Sequence, residues 1–245
     1  MNVIDKFDLR NQLVVITGGA GLLGNQHAES IIEANGDVVI LDIDEKKLNK
    51  QKIAFKDKYD KQIHQYKVDI SNESDVLQVN NQIQRDLKKN PNILINNAAI
   101  DAKFDHNSDF SANKLEFFDI QRWNRELSVG LTGALICSKV FGTEMSKNNF
   151  GVIINIASHY GLVAPNNTIY VKKGEEVSCQ NVKPVSYPVI KHGIIGLTKY
   201  IATYWADKGI RCNSLAPGGV YNDHDEEFVK KFSKLTPMGR MANID

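Results

Sequence analysis

Tyr187 and Lys191 stand four residues apart in Tyr187-Pro188-Val189-Ile190-Lys191. On a helix that spacing puts both on one face, with the ammonium close to the phenol. A free tyrosine titrates near about 10 and is a poor base at neutral pH. A fixed cation beside it favours the phenolate, and bringing the value down to about 7 takes roughly 4 kcal/mol of differential interaction. Such a pair is also common on solvated helix faces, so a second feature is needed. That feature is Thr17–Gly24 (TGGAGLLG), which follows an apolar strand and opens a helix. Gly18, Gly21 and Gly24 let the backbone turn sharply and approach a pyrophosphate, and the helix start at Leu22 and Leu23 favours its charge. The plain alternative is a glycine-rich turn with no ligand, and the strand–turn–helix context weighs against it. Turn and pair together read as proton transfer coupled to hydride transfer.

Asp42 closes the second strand, where a carboxylate accepts both ribose hydroxyls of an adenosine and repels a 2′-phosphate. Ile43 behind it offers no compensating cation, and Lys46 and Lys47 belong to a solvated helix face. The cofactor expected is therefore NAD. Asp69, with Ile70 beside it, ends strand three and is a candidate for the adenine. A carboxylate in the N-cap region before Ser71–Glu73 is the competing role for Asp69.

The elements that must carry these groups alternate short β-rich runs with longer helical patterns, as in a parallel sheet covered on both faces. Strands are expected at Leu13–Thr17, Asp37–Asp42, Ile63–Val68, Asn92–Asn96, Gly151–Ala157 and Ile210–Leu215. Helices are expected at Asn25–Asn35, Glu45–Tyr59, Glu73–Lys89, Gln121–Met145 and Val185–Ala206. The last two carry apolar residues on more than one face, so one side meets the sheet and the other is free to meet a second subunit. Two long irregular stretches, Ile100–Asp119 and Gly161–Pro184, have the length of binding loops.

With 245 residues, 42% hydrophobic and 24% charged, the chain has the makings of one α/β domain. A net charge of +1 without a basic block argues against nucleic acid. No apolar run reaches membrane-spanning length and Met1–Arg10 is not a signal sequence, so a cytoplasmic location is expected. Cys137, Cys179 and Cys212 show no metal-ligand spacing, and reduced thiols are the simplest reading.

Further motifs fall in order along the chain: Asn96-Asn97-Ala98-Ala99 after strand four, Ser158 after strand five, the Tyr187/Lys191 pair, and Pro217-Gly218-Gly219 after strand six. With the glycine turn, they make the chain resemble a short-chain dehydrogenase/reductase from about Phe7 to Met241. The resemblance implies a Rossmann-type, doubly wound sheet of order 3-2-1-4-5-6-7, a nicotinamide cofactor and reversible alcohol–carbonyl oxidoreduction. It implies that Tyr187 exchanges a proton with the substrate oxygen and that Lys191 tunes it and bonds the nicotinamide ribose. Ser158, on its own a routine strand-end hydroxyl, becomes a hydrogen-bond donor to the substrate oxygen. Asn96, Asn97 and Ala98 would line the adenosine ribose and brace strand four, and Pro217 and Gly218 would face the nicotinamide amide.

The sequence departs from that pattern in four places. The turn is spaced T-G-x-x-G-x-x-G where many relatives with this catalytic pair have T-G-x-x-x-G-x-G. Gly130 in Val129-Gly130-Leu131-Thr132-Gly133 replaces the usual asparagine, keeping a carbonyl and tolerating a helix bend. About sixteen extra residues separate Ser158 from Tyr187, a polar insertion that includes Asn166, Asn167, Tyr170, Lys172, Lys173, Glu175 and Glu176. It suits a polyhydroxylated substrate, its lysines could meet a phosphate, and a solvated surface loop is the bland reading. Finally, the chain ends at Asp245, before the expected seventh strand, which would leave strand six as an edge and reads as a truncation.

The expectation is an NAD-dependent oxidoreductase interconverting a secondary alcohol and a ketone on a polar, sugar-like small molecule, as a homodimer or homotetramer. The segment Ala157–Pro165 also resembles family members associated with surface-sugar or flagellin modification. Two alternatives stay open: a 3-oxoacyl thioester reductase, and a nucleotide-binding sensor of the same fold with little turnover. His159, next to the serine, is expected to pack or face solvent.

Overall fold

The computed structural model describes residues 2–59, 63–100, 110–172, 174, 176 and 180–244. Six parallel strands form one sheet in the order β3-β2-β1-β4-β5-β6. They are β1 (Leu13–Thr17), β2 (Asp37–Asp42), β3 (His64–Lys67), β4 (Ile93–Asn96), β5 (Gly151–Ile156) and β6 (Ile210–Leu215). The seven α-helices among the described residues are α1 (Leu22–Glu33), α2 (Glu45–Tyr59), α3 (Glu73–Leu87), α4 (Ile120–Leu127), α5 (Gly133–Lys147), α6 (Ser186–Tyr204) and α7 (Glu226–Leu235).

The apolar run of β1 is continuous because both faces of that strand are covered. Leu13 and Val15 pack with residues of α3, α5 and α6, among them Val76, Phe141 and Ile201. Val14 and Ile16 pack on the other side, with Ala28 and Ile32 of α1 and Leu48 and Phe55 of α2. The chain crosses from strand three to strand four on opposite sides of β1, so the ends of β1 and β4 open a crevice, the usual place for a ligand in such sheets.

The expected helix Gln121–Met145 is broken by a π turn at Ser128–Thr132. This is where Gly130 falls. A Cβ on Gly130 would lie 2.9 Å from Ile190 Cγ2, so α6 fills the room a side chain at 130 would occupy. The bend anticipated at this glycine takes the form of one widened turn. β6 pairs only with β5 among the described residues, and its Arg211, Asn213 and Leu215 are exposed. α7 was not anticipated in the sequence. Its Phe232 joins Ile169 of the insertion and Met241 in a small separate core, with Tyr170, Phe228 and Val229 against it. Lys173, Glu175 and Cys179 lie outside the described residues, as does part of the stretch Ile100–Asp119. No described helix is long and apolar enough to cross a membrane.

Candidate active site

The glycine turn is fixed by its neighbours. Gly18 has φ +60°, and a Cβ there would lie 2.7 Å from Ala98 Cα, so only glycine fits the turn against strand four's end. A Cβ on Gly24 would meet the Gly18 carbonyl oxygen at 2.5 Å, which is how α1 comes so close to the turn. Asn97 does the bracing: its Nδ2 donates to the carbonyls of Thr17 and Gly18 at 3.1 and 3.0 Å. Thr17 Oγ1 in turn accepts from the main-chain N–H of Asn97 and of Ala98, both at 3.1 Å. Gly21 is the N-cap of α1, and no acidic side chain stands in the helix's first turn. The first-turn N–H groups at Leu22, Leu23 and Gly24 precede any helical acceptor of their own, which suits a phosphate.

Asp42 reaches over this turn. Its Oδ2 accepts from the Ala20 N–H at 3.1 Å and its Oδ1 from the Asp44 N–H at 3.0 Å, so the carboxylate is held in place at the end of β2. Asp69 Oδ1 accepts from both the N–H and the hydroxyl of Ser71, at 2.9 and 2.6 Å. It organises the turn before α3, whose N-cap is Asn72. The Ile70 side chain is buried in the core against Gly133, leaving its main chain for any ligand.

Asn96 faces inward. Its Nδ2 donates to Asn155 Oδ1 at 2.8 Å and Ser138 Oγ at 3.0 Å, and Asn155 Nδ2 donates to Thr198 Oγ1 at 2.9 Å. This buried chain of polar groups ties α5, β4, β5 and α6 together below the site, while Asn96 Oδ1 stays buried without a partner.

The candidate reacting groups come from β5, α6 and the segment after β6. Ser158 follows β5 and is nearly fully buried; its Oγ accepts from the Tyr160 N–H at 3.2 Å and lies 3.4 Å from His159 Nδ1. Lys191, buried on α6, donates from Nζ to the Ile156 carbonyl at 2.8 Å and lies 5.6 Å from the centre of the Tyr187 ring. The Tyr160 ring meets that of Tyr187 edge-on, with centres 6.4 Å apart. The main-chain hydrogen bonds of β5 with β6 continue past the strands, through Ala157 N–H to Leu215 O (2.7 Å) and His159 N–H to Pro217 O (3.0 Å). That extension sets Pro217 and Gly218 beside Ser158. Burial lowers the basicity of His159, a hydrogen bond at the Pro217 main chain works against it, and the charge of Lys183 adds to the lowering. Burial raises the Tyr160 phenol.

One cavity of about 650 Å³ brings together Leu22, Leu23, Asn97, Ser158, Tyr187, Lys191, Pro217 and Gly218. That is ample for part of a dinucleotide and a small substrate. Gly18, Gly21, Gly24, Asp42, Asp69, Ile70 and Ala98 are outside its lining. Sequence reasoning, which singled out the insertion with its Tyr170 and Lys172, missed the rest of the outer wall: Ile169 and, from α7, Phe228, Lys231 and Phe232. The signal was present: Asp225 ahead of Glu226 and Glu227, then apolar residues at 228, 229 and 232. Asp225 indeed caps α7, accepting from the N–H groups of Glu227 and Phe228 at 3.0 and 3.2 Å. The described residues hold no group of three or more His, Cys, Asp or Glu suited to a metal ion.

Comparison with known proteins agrees with this architecture. The short chain dehydrogenase family model matches residues 12–171. A short chain dehydrogenase/reductase of Gibberella zeae is 36% identical over 215 residues, 86% of this chain and 70% of the relative. A post-translational flagellin modification protein of Campylobacter coli is 25% identical over 239 residues, 97% of this chain and 88% of the relative. The crystal structure of a short chain dehydrogenase from Leptospira borgpetersenii with bound NAD+ superposes with a TM-score of 0.80 at 28% identity, covering all of this chain and 84% of that one. The chain belongs to the short chain dehydrogenase family of oxidoreductases.

Proposed function

We propose that the chain is an NAD(H)-dependent oxidoreductase that interconverts a secondary alcohol and a ketone on a polar small-molecule substrate. The observation that carries this reading is that Ser158, Tyr187 and Lys191 line the same cavity as the start of α1 and the Pro217-Gly218 segment. A bound nicotinamide supplies the hydride. Gly18, Gly21 and Gly24 give the backbone its close approach to the pyrophosphate, the start of α1 at Leu22 and Leu23 receives its charge, and Asp42 takes the adenosine ribose. Asp69 and Ile70 border the adenine, and Asn97 and Ala98 keep the turn rigid beneath it.

In the reducing direction the Tyr187 hydroxyl gives its proton to the substrate oxygen as that oxygen gains charge. Lys191 keeps a positive charge beside the resulting phenolate. The Ser158 oxygen accepts from Tyr160 N–H, so its own hydrogen is directed to an acceptor in the cavity, either His159 Nδ1 or the substrate oxygen. A donor aimed where charge develops lowers the barrier more than it tightens ground-state binding. The polar lining contributed by Asn181, Asn222 and Lys172 supports a hydroxyl-rich substrate.

Exposed apolar side chains along the helices, Val189, Tyr200 and Tyr204 of α6 and Leu135 of α5, support assembly as a homodimer or homotetramer. The cytoplasm is the proposed location. Fluorescence titration with NADH and NADPH, followed by NADH oxidation against keto-sugars and 3-oxoacyl thioesters, tests the proposal. Preferential NADH binding with turnover of keto-sugars supports it. A clear NADPH preference, selective thioester reduction, or NADH binding without turnover of any ketone refutes it.

A further inference from the structure

Tyr187 has a cation on either side of it in the sequence. Lys191 follows by four residues, and Lys183 precedes by four. The Lys183 ammonium lies 3.9 Å from the centre of the Tyr187 ring, closer than that of Lys191 at 5.6 Å. The insertion holds it there: the main-chain N–H of Lys183 donates to Asn167 Oδ1 at 3.2 Å, and the Tyr187 N–H closes the turn onto Pro184 O at 3.2 Å. Lys183 also lines the cavity together with Asn181 and Lys172.

The charges around that ammonium are unevenly placed. Next to Tyr187 stand Lys183, Lys191 and the Tyr160 ring, and His159 lines the same cavity. Among the described residues, the carboxylates lining the cavity, Asp223, Asp225 and Glu227, come from the segment that starts α7. Asp225 is engaged in capping that helix, and Glu227 pairs with Lys231 at 2.7 Å. Among the described residues the charged side chains nearest Tyr187 are thus lysines, while the far wall carries three carboxylates beside Lys172 and Lys231.

We infer that the substrate bears a carboxylate next to its reacting carbon and that Lys183 receives it. The ammonium sits over the ring whose hydroxyl meets the substrate oxygen, so a group one bond from the carbonyl carbon falls within its reach. An ammonium has three N–H donors, and charge-assisted hydrogen bonds to a carboxylate are among the stronger ones available. Among the described residues the far wall holds three carboxylates, Asp223, Asp225 and Glu227, against two lysines, Lys172 and Lys231, and that excess favours a monoanion over a phosphate dianion, whose second charge it repels. The insertion thereby gains a purpose, which is to carry Lys183 over the catalytic tyrosine. The assignment rests on the reading of Tyr187 as proton donor beside a bound nicotinamide.

Three matched probes test it: 2-keto-D-gluconate, D-fructose and D-fructose 1-phosphate, which differ only in the group beside the ketone. Each is titrated against the preformed complex with NADH, using nicotinamide fluorescence as readout, in the wild type and in Lys183→Met and Lys183→Arg. The expected result is 2-keto-D-gluconate binding at least about tenfold tighter than either other probe. Lys183→Met should bring the three within about twofold of one another, while Lys183→Arg keeps the preference. Equal binding of the three, no binding of the keto acid, tightest binding of the phosphate, or a preference that survives Lys183→Met overturns the inference. Failure of the underlying reading looks different, because NADH itself then gives no saturable signal.

Discussion

A Cβ placed on Gly161 would lie 2.6 Å from the main-chain carbonyl oxygen of Lys191 and 2.9 Å from its carbon. Gly161 ends the short 3-10 turn His159–Gly161 that Ser158 caps, so this contact sets how near the Ser158 segment lies to α6. The obstacle is backbone, which cannot swing aside as a side chain does. Gly161→Ala should push the two apart and lower kcat by about a hundredfold, as misplacement of about an ångström does. NADH affinity, set on the other side of the cavity, should stay within about threefold. Steady-state kinetics alongside cofactor titration checks this, and an unchanged kcat would mean the contact does not govern catalysis.

Glu126 is a buried carboxylate that accepts from the Ser186 hydroxyl and, at 2.7 Å, from Arg122 Nε. Arg122 Nη1 also donates to Asn113 Oδ1 at 2.9 Å, and Asn113 Nδ2 to Asn181 Oδ1 at 2.9 Å. Ser186 begins α6 immediately before Tyr187, so this chain of bonds ties two loops to the start of the catalytic helix. Glu126→Ala leaves a buried hydroxyl and a half-buried guanidinium without their acceptor. We expect a loss of about 2 kcal/mol in urea unfolding, with Glu126→Gln losing less.

Asp42 bonds the Ala20 N–H, and in the proposed function it also repels a 2′-phosphate. Asp42→Ala should shrink the preference for NADH over NADPH by at least about tenfold. It should also cost about 1 kcal/mol of stability through the lost main-chain partner. Paired cofactor titrations and thermal melts separate the two effects. A preference that does not move would remove Asp42 from the cofactor site.

Cys137 and Cys212 are buried, and burial pushes both thiols up to about 12. The reactive thiolate is then scarce at about pH 8, far below the fraction for a free cysteine. Both should resist iodoacetamide in the folded enzyme and react on unfolding in urea, with mass spectrometry of tryptic peptides as the readout. Fast labelling of either in the native protein would contradict their placement.

The strands and the placement of Tyr187 and Lys191 on one helix were legible because they obey local rules. β1, β2 and β6 are short apolar or alternating runs, and α2 ends where its periodicity ends. The split of the long central helix was less visible, because a π turn depends on Ile190 of α6 packing against Gly130 from sixty residues away. α7 was missed for a related reason: its apolar stripe is short, and its purpose is to bury Ile169 of the insertion, a contact no local pattern announces. The role of Asn97 came from tertiary geometry, whereas the bonds from Ser71 to Asp69 are the local role the sequence already offered. One braces the glycine turn and the other shapes the turn before α3, tasks that share residue types with ligand binding. Lys183 was passed over because a lysine in a polar loop carries no signature until the ring beneath it is located.

The most direct test concerns Tyr187. Single-turnover oxidation of bound NADH by a ketone substrate should fall by at least about a thousandfold in Tyr187→Phe, while NADH binds within about threefold of the wild-type affinity. A variant that still transfers hydride at the wild-type rate would contradict the assignment of the proton to the Tyr187 hydroxyl.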